Sequence, residues 1–215
     1  MEDRRLLIPE ETPNRGYALN GRPLVGVTTA IHSVLRAPEL EAWFKRVGMQ
    51  ADTIRDEAAA FGKSIDAAMT AYVTGASLVP LDMPEAWRAT VEAGKCWIDQ
   101  NVGEVLAVQE PICSERYGYA GKPDLYCRHK RRCKAAVIVD WKATGGVYWS
   151  HLLQTAAYRQ AAVDSYGDKA PERMVLHFDK DKPGQVREHW FHKNARDFAA
   201  FTYCLALHRI MKEGM

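Results

Sequence analysis

The chain has 215 residues, 47% of them hydrophobic and 26% charged, a length and balance that predict one globular domain spanning 1–215. No run approaches the ~18 apolar residues of a membrane span, and Met1-Glu2-Asp3-Arg4-Arg5 leads into no apolar signal-peptide core; no membrane partner and a cytoplasmic setting are expected. Five cysteines without a Cys-x-x-Cys pair argue against a disulfide framework or zinc ribbon, and a net charge of +2 leaves any attraction to nucleic acid to local clusters.

In chain order, Pro9, Pro13, Gly16 and Pro23 break up the first residues, and Asn20-Gly21 predicts a short hairpin. Thr28 or Thr29 is placed to cap a helix carrying Ile31, Val34 and Leu35, and Pro38 to begin another with Leu40, Trp43, Phe44 and Val47. Residues 51–73 keep Ile54, Ala58, Phe61, Ile65, Ala68, Met69 and Tyr72 on one stripe, with Gly62 as a kink point and Gly75 as a stop. A further helix between Pro84 and Val102 carries Trp87, Val91, Gly94 and Trp97. Beyond Gly103 the period falls to two, which predicts strands over 105–112, 119–127 and 135–143, the last two joined by the basic segment 128–134. A helix over 150–166 follows Gly145-Gly146, then a hairpin of 173–179 and 185–191 around Lys182-Pro183-Gly184, and a closing helix capped by Asn194. This order predicts an α/β fold: a mainly helical part (1–102), then a core (103–215) whose central mixed five-stranded sheet is flanked by helices.

In a strand alternate side chains share a face, so Asp140 and Lys142 point one way and Trp141 the other. Charges ending the apolar run Val137-Ile138-Val139 are costly unless paired or bound to a metal. If the strands flanking the basic segment pair, Asp124 reaches Asp140, and two crowded carboxylates call for a hard divalent ion, Mg2+ or Mn2+. Such an ion activates water against a phosphodiester, and Lys142 would orient that water and offset developing negative charge. Alone, Asp140 and Lys142 would read as an ordinary surface pair.

Gly121-Lys122-Pro123-Asp124, then Asp140-Trp141-Lys142-Ala143-Thr144, then Gln154 and Tyr158 four apart on a helix together resemble the RecB-like branch of the PD-(D/E)XK nucleases, which includes phage and mitochondrial exonucleases. The match covers residues 110–160. It implies a restriction-endonuclease-like core and a metal-dependent deoxyribonuclease acting on single- or double-stranded DNA in a bacterial or phage-infected cell. Asp124, Asp140, Lys142, Gln154 and Tyr158 would be catalytic, with the metal held by Asp124, Asp140 and the Trp141 carbonyl. The resemblance extends to Trp43, Gly62-Lys63-Ser64-Ile65-Asp66 and Tyr72, where Asp66 stands at the position of a family histidine and becomes a further metal-ligand candidate, direct or through water. Glu110 matches an acidic residue often found on the preceding strand. An exonuclease is expected, since no recognition domain is appended; the alternative, favoured by the missing histidine, is a nuclease-fold protein that binds DNA or a protein partner without cutting.

Lys122 and the segment carrying Arg128, Lys130, Arg131, Arg132 and Lys134 are the expected phosphate contacts, a solvated hairpin tip being the blander reading. Gly62-Lys63-Ser64 lacks the first glycine and preceding strand of a phosphate-binding loop, so no nucleotide cofactor is expected. Only Cys204 lies beyond residue 133, against the iron-sulfur cluster of some relatives.

Overall fold

The computed structural model describes residues 7–13, 16–35, 51–76, 83–132, 135–167 and 171–214, with the side chains of 51 and 52 left out. The expected helix with Leu40, Trp43, Phe44 and Val47 lies outside the described residues, as does Lys134. The strands are β1 (Glu10–Glu11), β2 (Tyr17–Leu19), β3 (Arg22–Gly26), β4 (Val102–Val108), β5 (Ile112–Ser114), β6 (Tyr119–Gly121), β7 (Leu125–His129), β8 (Ala136–Thr144), β9 (Glu172–Asp179) and β10 (Val186–Trp190). The helices are α1 (Val27–Val34), α2 (Ala51–Thr74), α3 (Glu85–Asn101), α4 (Trp149–Tyr166) and α5 (Asn194–Glu213).

The central sheet runs β10-β9-β8-β7-β4, antiparallel except for the parallel pair β8–β9. It is the mixed, helix-flanked, five-stranded sheet expected from the period-two segments. A second five-stranded sheet, β1-β2-β3-β6-β5, was not expected. It arises because two expected strands each break at a proline, which has no N–H for a ladder. The run 105–112 stops at Gln109-Glu110-Pro111, where Gln109 takes a left-handed φ of 46°. The run 119–127 stops at Lys122-Pro123-Asp124, so β6 joins the second sheet and β7 the central one. The Asn20-Gly21 hairpin forms, both residues at positive φ (51° and 74°) as its tight turn requires.

Strict alternation divides β7 and β8 between two cores. Leu125, Cys127, Val137, Val139 and Trp141 pack with Phe61, Ile65, Met69, Val91 and Trp97 of α2 and α3. Tyr126 and Ile138 pack on the opposite face with Leu153, Ala157, Ala161 and Phe201 of α4 and α5. Gly94 of α3 allows a close approach: a Cβ there would lie 2.6 Å from Met69 Sδ and 2.7 Å from Phe178 Cε1. On the α4/α5 face Arg173 is fully buried, donating to Asn194 Oδ1 (2.7 Å), Leu152 O (2.8 Å), Thr155 Oγ1 (2.9 Å) and Asp197. Asn194 is thus helical and serves Arg173 rather than capping α5, whose N-cap is Lys193. Likewise Thr28 and Thr29 lie inside α1, behind an N-cap at Gly26.

Candidate active site

β8 outruns its neighbour. Its pairing with β7 ends at Leu125 opposite Val139, so on that edge residues 140–144 extend beyond the ladder. The Trp141 N–H, which would otherwise lack a strand partner, donates to Asp124 Oδ2 at 2.8 Å. Asp124 thereby stands at the end of β7 against the stretch of β8 that holds Asp140 and Lys142. A cleft of about 360 Å³ opens there, lined by Ala58, Gly62, Ile65 and Asp66 of α2 together with Asp124 and residues 141–144.

The electrostatics of this corner are strained. Burial and the charge of Asp140 raise the Asp124 carboxyl well above the usual carboxylate range, against the opposing effects of Lys142 and the Trp141 N–H. Asp140 is 1% exposed, and its Oδ2 lies 2.7 Å from Lys142 Nζ. That ion pair is the partner of an otherwise unaccompanied buried oxygen. Burial opposes the charge of Lys142, but Asp140 and Asp124 outweigh it and hold the ammonium above its ordinary value.

Gln154 and Tyr158 stack one turn apart on α4, with Gln154 Nε2 donating to the Tyr158 hydroxyl at 3.0 Å. Burial, then the Asp140 charge, pushes the Tyr158 hydroxyl well above its ordinary value, so it stays protonated beside the acids. Gly121 makes room for this ring: a Cβ there would overlap Tyr158 Cε1 and lie 3.0 Å from Val27 Cγ2.

Asp66 faces the cleft from α2. Its Oδ1 accepts the Trp141 indole N–H at 2.8 Å and the Gln109 amide at 2.9 Å. Trp141 therefore ties two acids, Asp124 through its main chain and Asp66 through its ring. Among the described residues no three His, Cys, Asp or Glu side chains converge closely enough to enclose an ion. Gly62, Lys63 and Ser64 lie inside α2, away from any loop.

Other predicted residues lie elsewhere. Glu110 lies near the Tyr166 hydroxyl at the far end of α4, whose ionisation is opposed by burial and then by the Glu110 charge. The register sets the basic segment apart from the acids: Arg128 pairs with Ala136 at the opposite end of the β7–β8 ladder from Asp124, four residues or roughly 13 Å along the strand. Arg128 binds Glu104 (3.0 Å), Arg132 binds Glu172 (3.2 Å) and covers the Trp190 ring, Lys130 reaches the Asp99 carbonyl, and Arg131 is exposed on the same turn. Lys122 alone of the described set stands at the acids' end, where Glu11 holds it at 2.8 Å.

Two participants were missed. Gln109 carries no motif signal, since its role depends on its left-handed backbone. His151, on the first turn of α4, accepts the Tyr148 N–H at 3.2 Å; burial, then the charges of Lys142 and other histidines, lowers it to about 3 and keeps the ring neutral beside the lysine. Its position just after Gly145-Gly146 was the available hint.

No family model matches the chain, and no curated protein sequence matches it. Among solved structures, a proposed exonuclease from Eubacterium rectale superposes at a TM-score of 0.50 with 12% identity, over 72% of this chain and 68% of its own. The protein SSO0001 aligns over 87% of this chain and 75% of its own at 10% identity, with a TM-score of 0.41, too low to bear on the fold. The fold of this chain is accordingly similar to that of the Eubacterium rectale protein: a nuclease-like core flanked by helices.

Proposed function

We propose that this chain is a Mg2+- or Mn2+-dependent deoxyribonuclease of the PD-(D/E)XK type, an exonuclease of its RecB-like branch. The observation that carries the reading is the joining of Asp124, Asp140 and Lys142 at one corner of the central sheet, where β8 outruns β7. The fold's similarity to a proposed exonuclease adds support for the nuclease class.

The donor set fits a hard divalent ion. Asp124 and Asp140 repel one another, Asp140 Oδ2 is accompanied by Lys142 and no other donor, and the Trp141 carbonyl shares the strand edge of its N–H. Asp66 would contribute through water. Bound there, the ion would polarise a phosphate oxygen and favour ionisation of water. Lys142, released from Asp140 as the carboxylate turned to other work, would hold the attacking water and neutralise charge growing on the phosphate. Tyr158, kept protonated by its burial and the Asp140 charge and aligned by Gln154, can donate to a phosphate oxygen. Neutral His151 adds no positive charge beside Lys142.

Single-turnover cleavage of end-labelled linear DNA, with closed circular DNA alongside, tests this in Mg2+ and Mn2+. Cleavage of linear DNA that is abolished by Asp140→Asn is expected; no cleavage of any form by the wild type would overturn the proposal. One observation favours a second reading: Asp66, at the family histidine position, already has Oδ1 engaged by Trp141 and Gln109. Cleavage gained only in Asp66→His would establish the natural chain as a DNA- or protein-binding relative that has lost catalysis.

A further inference from the structure

Gln109 is the residue of this corner whose geometry no motif explains. Among the described residues it is one of two non-glycines at positive φ (46°), a conformation L residues seldom adopt without a compensating role. The other, Asn20, belongs to a hairpin turn that requires it. The unusual backbone aims three hydrogen bonds at once. The Gln109 N–H donates to the Asp124 carbonyl at 3.1 Å, and its side-chain amide donates to Asp66 Oδ1 at 2.9 Å and to Thr70 Oγ1 at 2.9 Å. With the Trp141 indole also on Oδ1, the Asp66 carboxylate is fixed by two N–H donors on one oxygen, and its second oxygen remains for the cleft that Asp66 lines.

We propose that Gln109 is a positioning residue that holds the Asp66 carboxylate at the cleft as an oxygen donor toward the divalent ion, acting through water. The proposal rests on the metal-dependent reading above. Thr70 anchors the amide from one turn further along α2, so rotation of the glutamine is restrained from both sides. Removing a group that orients a ligand typically weakens metal binding ten- to a hundredfold without touching the ion. A purely structural role, tying α2 to the end of β4, would instead alter unfolding and leave metal affinity as it was.

Calorimetric titration with Mn2+, read beside thermal unfolding of the metal-free protein, separates these roles. Gln109→Gly accepts the positive φ and loses the amide. Gln109→Asn also tolerates the backbone, but its amide is too short to reach Asp66. Each is expected to weaken Mn2+ binding by about tenfold while remaining folded, and Thr70→Val by less in the same direction. In an Asp66→Ala background neither Gln109 substitution should weaken binding further. Unchanged affinity in both glutamine variants, or an equal loss with Asp66 already removed, would overturn the proposal while leaving the metal site standing. A wild type that binds no Mn2+ would overturn both.

Discussion

Gly121→Ala places one methyl where the Tyr158 ring lies. Gly121 is outside the positive-φ glycines, so no backbone strain enters and the whole effect is contact. The new Cβ would overlap Tyr158 Cε1, stand 3.1 Å from its Cδ1 and 3.0 Å from Val27 Cγ2. The ring is 4% exposed and Val27 1%, so neither can swing into solvent. Overpacking of this kind costs ~1–3 kcal/mol, and tilting the ring off Gln154 adds ~1 kcal/mol for the lost hydrogen bond. A loss of ~2–4 kcal/mol follows, at about 2–4 °C of Tm per kcal/mol for a chain of this size. Thermal and urea unfolding of the purified protein measure it. The same substitution in a Tyr158→Leu background should cost much less, because the obstructing ring is gone. A Gly121→Ala protein that melts with the wild type, or an equal cost in both backgrounds, would refute this account of the motif glycine.

Lys142→Met keeps most of the aliphatic stem and is expected to lower single-turnover cleavage by ~100-fold or more with metal affinity retained; equal rates would remove the lysine from the mechanism. Asp124 holds a proton in the folded state that the unfolded chain releases at lower pH. The metal-free protein should therefore lose stability as pH rises from the ordinary carboxylate range through Asp124's raised value, and Mg2+ should offset that loss. Asp124→Asn should flatten the slope, and an unchanged slope in urea titrations across pH would count against it. Arg173→Met leaves four acceptors short of a donor and should cost ~3–5 kcal/mol, moderated because Arg196 still binds Asp197 at 2.6 Å; a loss below ~1 kcal/mol would contradict the anchoring role. Neutralising Arg128 and Arg132 together should change the salt dependence of DNA binding less than Lys122→Ala does, and the reverse ranking would return the basic turn to the substrate surface.

The central sheet was legible because its strands obey the simplest rule, alternation against two cores. Val137, Val139 and Trp141 face α2 and α3, while Ile138 faces α4. Asp140 and Lys142 could be read as neighbours for the same reason, and the order of the motif segments carried Asp124 and Asp66 toward them. The second sheet was not legible, since period two continues across Pro111 and Pro123 although the hydrogen-bond ladders do not. Those prolines were the missed signal. The place of the basic segment was not legible, because its sequence proximity to both acids hid the antiparallel register, which sends the turn to the far end of the ladder. Gln109 was beyond reach: its chemistry depends on a dihedral that no local pattern encodes.

The second sheet has a mechanical meaning for the cleft. β6 belongs to it and β7 to the central sheet, and only Lys122, Pro123 and Asp124 connect them, a tether of about 10 Å at full stretch. Proline stiffens that tether, and its last link is Asp124, held through its carboxylate by the Trp141 N–H and through its carbonyl by the Gln109 N–H. Sliding of one sheet over the other thus finds little slack chain and is taken up at Asp124 and at the second short link, Gln109-Glu110-Pro111, whose Gln109 N–H binds the Asp124 carbonyl. Distant substitutions that loosen the small sheet, at the Cys113 and Ser165 contact for example, should register in the cleft as a displaced acid before they register as unfolding.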